Sequence, residues 1–201
     1  MFVQEIRGRV ADAQPVHRAF DMWSRQLASG APGWLGSTAG VTDDGRFIAL
    51  ARFESEEAAR RNEHRPEQDQ WWQETANLFS GDVTFRDSND VIADVRGDPN
   101  VAGFLQVMEG RGSDPERAKE LMAQNPDEWA EFRPEVIGNL AVGHAGGGYT
   151  MAMYFASEQA AREGERKEPP PELKAQMEEM DKLSLGETEF LDLREPWLYS
   201  P

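Results

Sequence analysis

Cysteine is absent from this 201-residue sequence, and histidine occurs only at positions 17, 64 and 144. Without cysteine the chain has no disulfide, no thiolate metal site and no thiol nucleophile. The three histidines lie too far apart in the sequence to resemble a zinc site, so we expect no metal. Gly146–Gly148 joins two predicted strands and does not open a helix, so it is not a phosphate-binding loop. We expect no cofactor.

Basic residues and long apolar runs are also scarce. Lys and Arg number 21 against 37 Asp and Glu, which gives a formal net charge of −16. Binding to nucleic acid needs clustered Lys and Arg, so we expect no nucleic acid partner. No apolar run approaches the roughly 18 residues of a membrane span, and the N-terminal MFVQEIRGRV carries charges where a signal peptide is apolar. We expect a soluble, cytoplasmic protein that does not enter membranes.

The sequence does contain a tandem repeat. Residues 2–10 (FVQEIRGRV) match residues 104–112 (FLQVMEGRG) at an offset of 102 residues, and at the same offset 53–60 (FESEEAAR) match 155–162 (FASEQAAR). One register held over so long a stretch indicates a duplication. We expect residues 1–95 and 101–201 to form two repeats, with a linker at about residues 87–100.

Each repeat shows the same order of strand and helix patterns. In the first repeat, apolar residues at helical spacing between Pro15 and Ser29 predict a helix, and Asp44-Gly45 predicts a hairpin turn. A second helix is expected from Ser55, interrupted by Pro66. Strands are expected at residues 2–10, 34–41, 46–53 and 83–86. The resulting order, β-α-β-β-α-β in each copy, is the ferredoxin-like split βαβ unit of an α+β protein.

The strand patterns indicate that both faces of each sheet are buried. Phe47, Ala49, Ala51 and Phe53 alternate with the equally apolar Ile48 and Leu50. Helices cover only one face of a ferredoxin-like sheet, so we expect the two bare faces to pack against each other, sheet to sheet. The segment Val91–Val95 in the linker is expected either to extend a strand or to be an edge strand exchanged between the halves.

The segment Phe53-Glu54-Ser55-Glu56-Glu57-Ala58, followed by the break at Arg65-Pro66, resembles the dimeric α/β-barrel superfamily, in particular antibiotic biosynthesis monooxygenase-like proteins. The resemblance implies an intramolecular dimeric α/β barrel built from the two repeats. It also implies activities that range from cofactor-free oxygenation of polycyclic phenols to haem degradation. Related proteins often carry a histidine on the helix where this chain has Asn62 and Gly164. Some family oxygenases use an Asn and a Trp near the substrate.

The two copies diverge most after Arg60 and Arg162, where only the first copy keeps residues suited to an aromatic ligand. We predict two catalytic residues: Asn62 as donor to oxygen or a developing oxyanion, and His64 as base. Arg65 is expected to hold an anionic substituent. Flat apolar walls are expected from Trp23, Trp71 and Trp72.

Structural roles compete with each of these assignments. Adjacent Trp71 and Trp72 cannot both face one core, because neighbours on a helix differ by about 100°. Three functions remain open. The first is cofactor-independent oxygenation of an aromatic or polyketide-like small molecule, and the second is a non-catalytic small-molecule-binding or stress-related role. The third is haem degradation through His64 or His144. We expect a monomeric pseudo-dimer or weak homodimer with an aromatic small-molecule ligand.

Overall fold

The computed structural model describes residues 1–95 and 97–201. In the first repeat, the strands and helices in chain order are β1 (Phe2–Arg9), α1 (Ala13–Gln26), β2 (Trp34–Val41), β3 (Arg46–Phe53), α2 (Glu56–Glu63), α3 (Pro66–Ala76), β4 (Thr84–Ser88) and β5 (Val91–Val95). The predicted bounds of β2 and β3 are confirmed. The predicted helix over 15–29 is instead α1, which ends at Gln26, followed by a 3-10 turn at Ala28–Gly30.

The second repeat has the same order with a divided first helix. Its elements are β6 (Phe104–Arg111), α4 (Pro115–Met122), α5 (Pro126–Phe132), β7 (Val136–Gly143), β8 (Gly148–Phe155), α6 (Glu158–Glu165), α7 (Pro171–Leu183), β9 (Glu189–Leu193) and β10 (Trp197–Tyr199). The division falls at Asn125, which has φ 52° and precedes Pro126. A left-handed residue followed by proline cannot continue a helix, so α5 starts anew.

The capping serines act as the sequence predicts. The Ser55 hydroxyl accepts a hydrogen bond from the Ala58 N–H at 3.2 Å, and Ser157 does the same for Ala160 at 3.2 Å. Each bond satisfies one of the free N–H groups in the first turn of a helix. Pro66 then begins α3, where its missing N–H costs no hydrogen bond.

The chain forms two antiparallel five-stranded sheets, which confirms the predicted α+β class with duplicated ferredoxin-like repeats. The strand orders are β10-β2-β3-β1-β4 and β5-β7-β8-β6-β9. The last strand of the chain, β10, therefore pairs with β2 of the first repeat, while β5 lies at the edge of the second sheet. Of the two alternatives for Val91–Val95, the structure has the exchanged edge strand.

The chain divides into two compact units. The first comprises Met1–Val91 together with Glu195–Pro201, and the second comprises Ile92–Arg194. The predicted packing of one sheet on the other, and the repeat boundaries at 95 and 101, stay predictions. No helix in the part of the chain that the structure describes is long and apolar enough to cross a membrane.

The core of the first unit, between its helices and its sheet, is largely aromatic. Its buried aromatic residues are Phe2, Phe20, Trp23, Trp34, Phe47, Phe53, Trp71 and Trp197. As predicted, Phe47, Ala49 and Phe53 of β3 face this core, while Ile48 and Leu50 alternate with them and are buried on the other face. This strand is therefore buried on both faces of the sheet. The corresponding cluster of the second unit, around Phe104 and Phe155, holds no tryptophan among its described members.

Candidate functional site

Asn62 lies on the buried side of α2 with only 5% of its surface exposed. Its side-chain Oδ1 accepts a hydrogen bond from Arg65 Nη1 at 2.9 Å. A guanidinium has donors and no acceptor, so this bond identifies the amide oxygen and fixes the orientation of the side chain. Nδ2 is then the remaining hydrogen-bonding group of Asn62, and it is a donor.

Arg65 connects three elements of the first repeat. Besides Asn62, its Nη1 donates to the backbone oxygen of Leu27 at 3.1 Å, and its Nε donates to Glu67 Oε1 at 3.0 Å. The guanidinium lies close against Gly30, where a Cβ atom would come within 2.6 Å of Nη2. Arg65 therefore ties the start of α3 to the end of α1. In this position it orients Asn62.

His64 lies on a different side of α2 from Asn62. It is the exposed residue that ends the helix, and its Nδ1 is 2.6 Å from the backbone oxygen of Arg60. A carbonyl oxygen only accepts, so Nδ1 carries the proton of the neutral ring and Nε2 is the basic nitrogen. The structure therefore does not bring the two predicted catalytic residues together. The role of His64 as base stays a prediction.

The three tryptophans of the predicted site have different surroundings. Trp23 is buried and its indole N–H donates to Gln68 Oε1 at 2.6 Å. Trp71 is buried and its N–H donates to the backbone oxygen of Ala19 at 3.0 Å. Trp72 is half-buried and packs edge-on against Phe85, with ring centroids 5.1 Å apart. As expected for neighbours on a helix, only one of Trp71 and Trp72 enters the core.

The second repeat fills the place of Asn62 in another way. The equivalent residue is Gly164, and a Cβ atom there would overlap the carboxylate of Glu135 and come within 2.8 Å of Arg133 Nε. Glu135 accepts hydrogen bonds from Arg133 and from Lys167, the latter at 2.9 Å. By the offset of 102, Lys167 is the equivalent of Arg65 and Glu135 that of Gly33. A partly exposed ion cluster thus replaces the neutral amide of the first repeat.

Charge compensation keeps Glu135 ionised. Burial raises the pKa of its carboxyl, but the hydrogen bonds from Arg133 and Lys167 outweigh burial and hold the pKa below its usual value. The space beside this helix therefore holds a neutral amide in the first repeat and a negative charge in the second. At this position the first repeat has the buried amide of Asn62 and the second has the carboxylate of Glu135.

No protein-family model and no curated protein matches the sequence. Solved structures do match: a candidate monooxygenase from Lactobacillus acidophilus has TM-score 0.76 and 14% identity, covering 99% of this chain and 96% of that one. An anthrone oxidase-like protein has TM-score 0.68 and 11% identity, covering 99% and 92%. A Listeria monocytogenes ferredoxin-fold protein related to antibiotic biosynthesis monooxygenases has TM-score 0.52 and 12% identity, covering 100% and 95%.

The chain has the fold of the antibiotic biosynthesis monooxygenase-like proteins. The resemblance inferred from Phe53–Ala58 is therefore confirmed at the level of the fold. At these identities the similarity says nothing of the reaction, because one fold carries many functions.

The structure also shows a cluster of four side chains that the sequence did not predict, formed by His17, Asp21, Trp197 and Tyr199. The rings of His17 and Trp197 are stacked in parallel, 4.4 Å apart at 2°. Asp21 lies 3.6 Å from His17 Nε2, and its Oδ1 accepts a hydrogen bond from the Tyr199 hydroxyl at 3.0 Å. Burial and Asp21 raise the pKa of that hydroxyl, so Tyr199 stays a donor. The spacings 17/21 and 197/199 are visible in the sequence, but a contact spanning 178 residues is not.

The structure also bears on metal binding. Within residues 1–95 and 97–201, no group of three or more His, Asp or Glu side chains could hold a metal ion.

Proposed function

We propose that the first repeat binds a flat aromatic small molecule and catalyses its cofactor-independent oxygenation, with Asn62 as the hydrogen-bond donor. The observation that carries the proposal is the buried amide of Asn62, whose oxygen is held by Arg65 so that its N–H₂ group is the donor. A preorganised donor in a water-poor site stabilises developing negative charge on oxygen. Support for the reaction class comes from the structural similarity to monooxygenase-like proteins.

The proposed substrate class is a fused-ring phenolic ketone of the anthrone type. A structurally similar protein is described as anthrone oxidase-like, which motivates this choice. In the reaction, a ring methylene and O₂ give a ring carbonyl and water. Two C–H bonds break, one oxygen atom becomes the carbonyl oxygen, and the other leaves as water with both hydrogens. The ionised substrate supplies the electrons, so no external reductant is needed.

Asn62 would act on the ionised substrate. Loss of a proton places negative charge on the ring oxygen, and a hydrogen bond from Nδ2 lowers the energy of that enolate or phenolate. Arg65 is then a positioning residue, because it contacts the amide oxygen of Asn62. His64 is exposed and lies away from Asn62, so we assign the proton released by the substrate to solvent.

The alternative is a non-catalytic small-molecule-binding or stress-related protein of the same fold. The observation in its favour is that the indole N–H groups of Trp23 and Trp71 already have protein acceptors. The aromatic side chains also pack on one another, as Phe20 does on Trp71 with centroids 5.4 Å apart. Under this alternative the wild-type chain binds an aromatic compound without consuming oxygen.

The test is quinone formation from anthrone by the wild type and by Asn62→Asp. Aspartate keeps the shape of Asn62 and can still accept from Arg65, but it has no N–H₂ donor. We expect the turnover rate to fall about 10²-fold or more, as for loss of one oxyanion donor elsewhere. Asn77→Ala, which removes an exposed amide at the end of α3, is the matched control and should keep the wild-type rate.

Two results would count against the proposal. A wild type that binds anthrone with no oxidation above the uncatalysed rate supports the non-catalytic alternative. An Asn62→Asp variant that is folded and fully active removes Asn62 from the reaction. His64→Gln distinguishes the predicted base from a surface histidine: we expect an unchanged rate at every pH, and a lost limb of the pH profile would restore His64 as base.

A further inference from the structure

The indole of Trp197 lies in an aromatic box within the first unit. We define the aromatic box by three residues: His17 and Phe20 of α1, and Phe47 of β3. The His17 ring is parallel to the indole at 4.4 Å, and the Phe20 and Phe47 rings are tilted to it with centroids 6.0 Å away in each case. Only 6% of Trp197 is exposed. One face-to-face and two tilted neighbours form an arrangement well suited to a flat aromatic group.

A short edge strand supplies the indole. β10 has three residues, lies at the edge of its sheet and pairs with β2 alone, through Trp197↔Ala39, Leu198↔Thr38 and Tyr199↔Ser37. Beyond the strand, the Tyr199 hydroxyl bond to Asp21 adds one side-chain anchor. A short strand at the edge of a sheet opens at a lower free energy than the central strands. Trp197 is therefore held in the aromatic box by a strand that can separate while the rest of the sheet stays paired.

The fold itself does not require this arrangement. The corresponding exchanged strand of the second sheet, β5, carries Ile92 at the position that matches Trp197 at the offset of 105 residues found at the repeat ends. At the offset of 102, the box residues His17, Phe20 and Phe47 correspond to Lys119, Met122 and Tyr149. An aliphatic side chain serves as the edge-strand residue there. The aromatic box and the indole that fills it occur together in the first unit. The second repeat has other residue types at the equivalent positions, so the shared fold alone does not account for them.

We propose that the aromatic box is a binding site for flat aromatic molecules of about the size of indole or naphthalene, and that Trp197 is its intrachain occupant. A ligand enters when β10 separates from β2 and withdraws the indole. The strand is thus an autoinhibitory plug. The inference rests on the proposed function only for the choice of aromatic ligands, because binding at the box needs no oxidation and no contact with Asn62.

A plug of this kind has a defined thermodynamic consequence. A ligand that binds only the open state shows an apparent dissociation constant equal to its intrinsic constant divided by the open fraction. Removing the indole raises that fraction and tightens binding by the same factor. Ligand binding must also release β10, since the two compete for one place.

The first experiment uses the wild-type 201-residue chain and 2-naphthol as the probe. Binding is measured by calorimetry, and hydrogen exchange is followed by mass spectrometry with and without saturating 2-naphthol. We expect faster amide exchange in residues 195–201 and unchanged protection in β1 and β3. Absence of binding at millimolar 2-naphthol overturns the proposal, and so does binding that leaves exchange of residues 195–201 unchanged or slower.

The second experiment compares two tryptophan replacements in the same 201-residue chain. Trp197→Ala vacates the aromatic box and should bind 2-naphthol about tenfold more tightly than the wild type or better. Trp129→Ala removes a half-buried indole from the second unit and should leave the affinity unchanged. A folded Trp197→Ala chain with wild-type affinity overturns the proposal. If Trp197→Ala does not fold, the exchange measurement on the wild type still decides. A loss of anthrone oxidation with 2-naphthol binding intact would reject only the proposed function.

Discussion

Arg60 Nη2 donates a hydrogen bond to Asp87 Oδ2 at 2.5 Å, and Arg162 makes the equivalent bond to Asp192. Each arginine also pairs with a glutamate three residues later, Arg60 with Glu63 at 2.9 Å. Its guanidinium lies over a strand phenylalanine as well, Arg60 over Phe2 at 5.7 Å and Arg162 over Phe104 at 5.3 Å. The repeated Ala-Ala-Arg of the sequence is thus a structural device that fastens the second helix of each repeat to its sheet.

Replacing either arginine by lysine should weaken this attachment. Lysine keeps the charge but cannot donate to two carboxylates in a fixed plane, so Arg60→Lys and Arg162→Lys should each lower the free energy of unfolding by about 0.5–1 kcal/mol. The range is low because Arg60 is 39% exposed and solvent screens its ion pairs. Arg61→Lys is the control. The ion-pair partner of Arg61, Glu57, is exposed, so this substitution should lower the free energy of unfolding by less. Urea denaturation gives the free energy of unfolding of all three variants. Equal losses for Arg60→Lys and Arg61→Lys would show that Arg60 does not fasten the helix to the sheet.

The first repeat has Asn62 where the second has Gly164. This difference predicts that substitutions at Gly164 and Glu135 are energetically coupled. Gly164→Ala should lower the free energy of unfolding by about 1 kcal/mol, because the new methyl group must displace the partly buried Glu135 carboxylate from its partners. In a Glu135→Gly background the same change should be neutral or stabilising, since alanine suits a helix better than glycine. A double-mutant cycle by chemical denaturation gives the coupling energy. Additive effects would show that Glu135 does not fill this space.

The lowered pKa of Glu135 predicts a dependence of stability on pH. Because the folded-state pKa lies below the ordinary value of 4.5, the ionised carboxylate contributes stability in full above pH 4.5. That contribution is lost as the pH falls through the folded-state pKa. Glu135→Gln should therefore be less stable than the wild type at pH 7, by about 1–2 kcal/mol, with a difference that shrinks below pH 4.5. Glu131→Gln, at an exposed position, is the control, and a difference independent of pH would refute the assignment.

Trp71 and Trp72 form a matched pair for testing the aromatic core. Trp71→Phe removes the donor to the Ala19 carbonyl and leaves a gap in a buried site, so it should lower the free energy of unfolding by about 1–3 kcal/mol. Trp72→Phe should cost clearly less, because Trp72 is half-buried and packs mainly edge-on against Phe85. Urea denaturation of both variants gives the comparison. A larger loss of stability for Trp72→Phe than for Trp71→Phe would contradict the assignment of Trp71 to the core-facing side of α3.

Local features of the fold were predictable because they depend on nearby residues. Asp44-Gly45 forms the turn that ends β2 and precedes β3, and Gly45 has φ +80° there. Ser55 caps the start of α2. The contacts of the site were not predictable in the same way. The bond from Trp23 to Gln68 spans 45 residues and depends on how α1 and α3 pack.

The sequence alone showed only part of the difference between the two repeats. Aligning the copies shows Asn62 opposite Gly164 and Gly33 opposite Glu135 as two separate changes. Only the structure shows that the Glu135 side chain occupies the space over Gly164, which makes the two changes one exchange.

The central claim is that the Asn62 amide donates a hydrogen bond to the oxygen of an aromatic ligand. The most direct measurement is a nitrogen–proton NMR spectrum of the chain labelled with ¹⁵N-asparagine, titrated with a water-soluble anthraquinone that cannot react further. The Asn62 side-chain resonances are assigned by their absence in Asn62→Asp. We expect them to shift progressively and saturate with the ligand. Binding detected by calorimetry while the Asn62 amide resonances stay unmoved would contradict the claim.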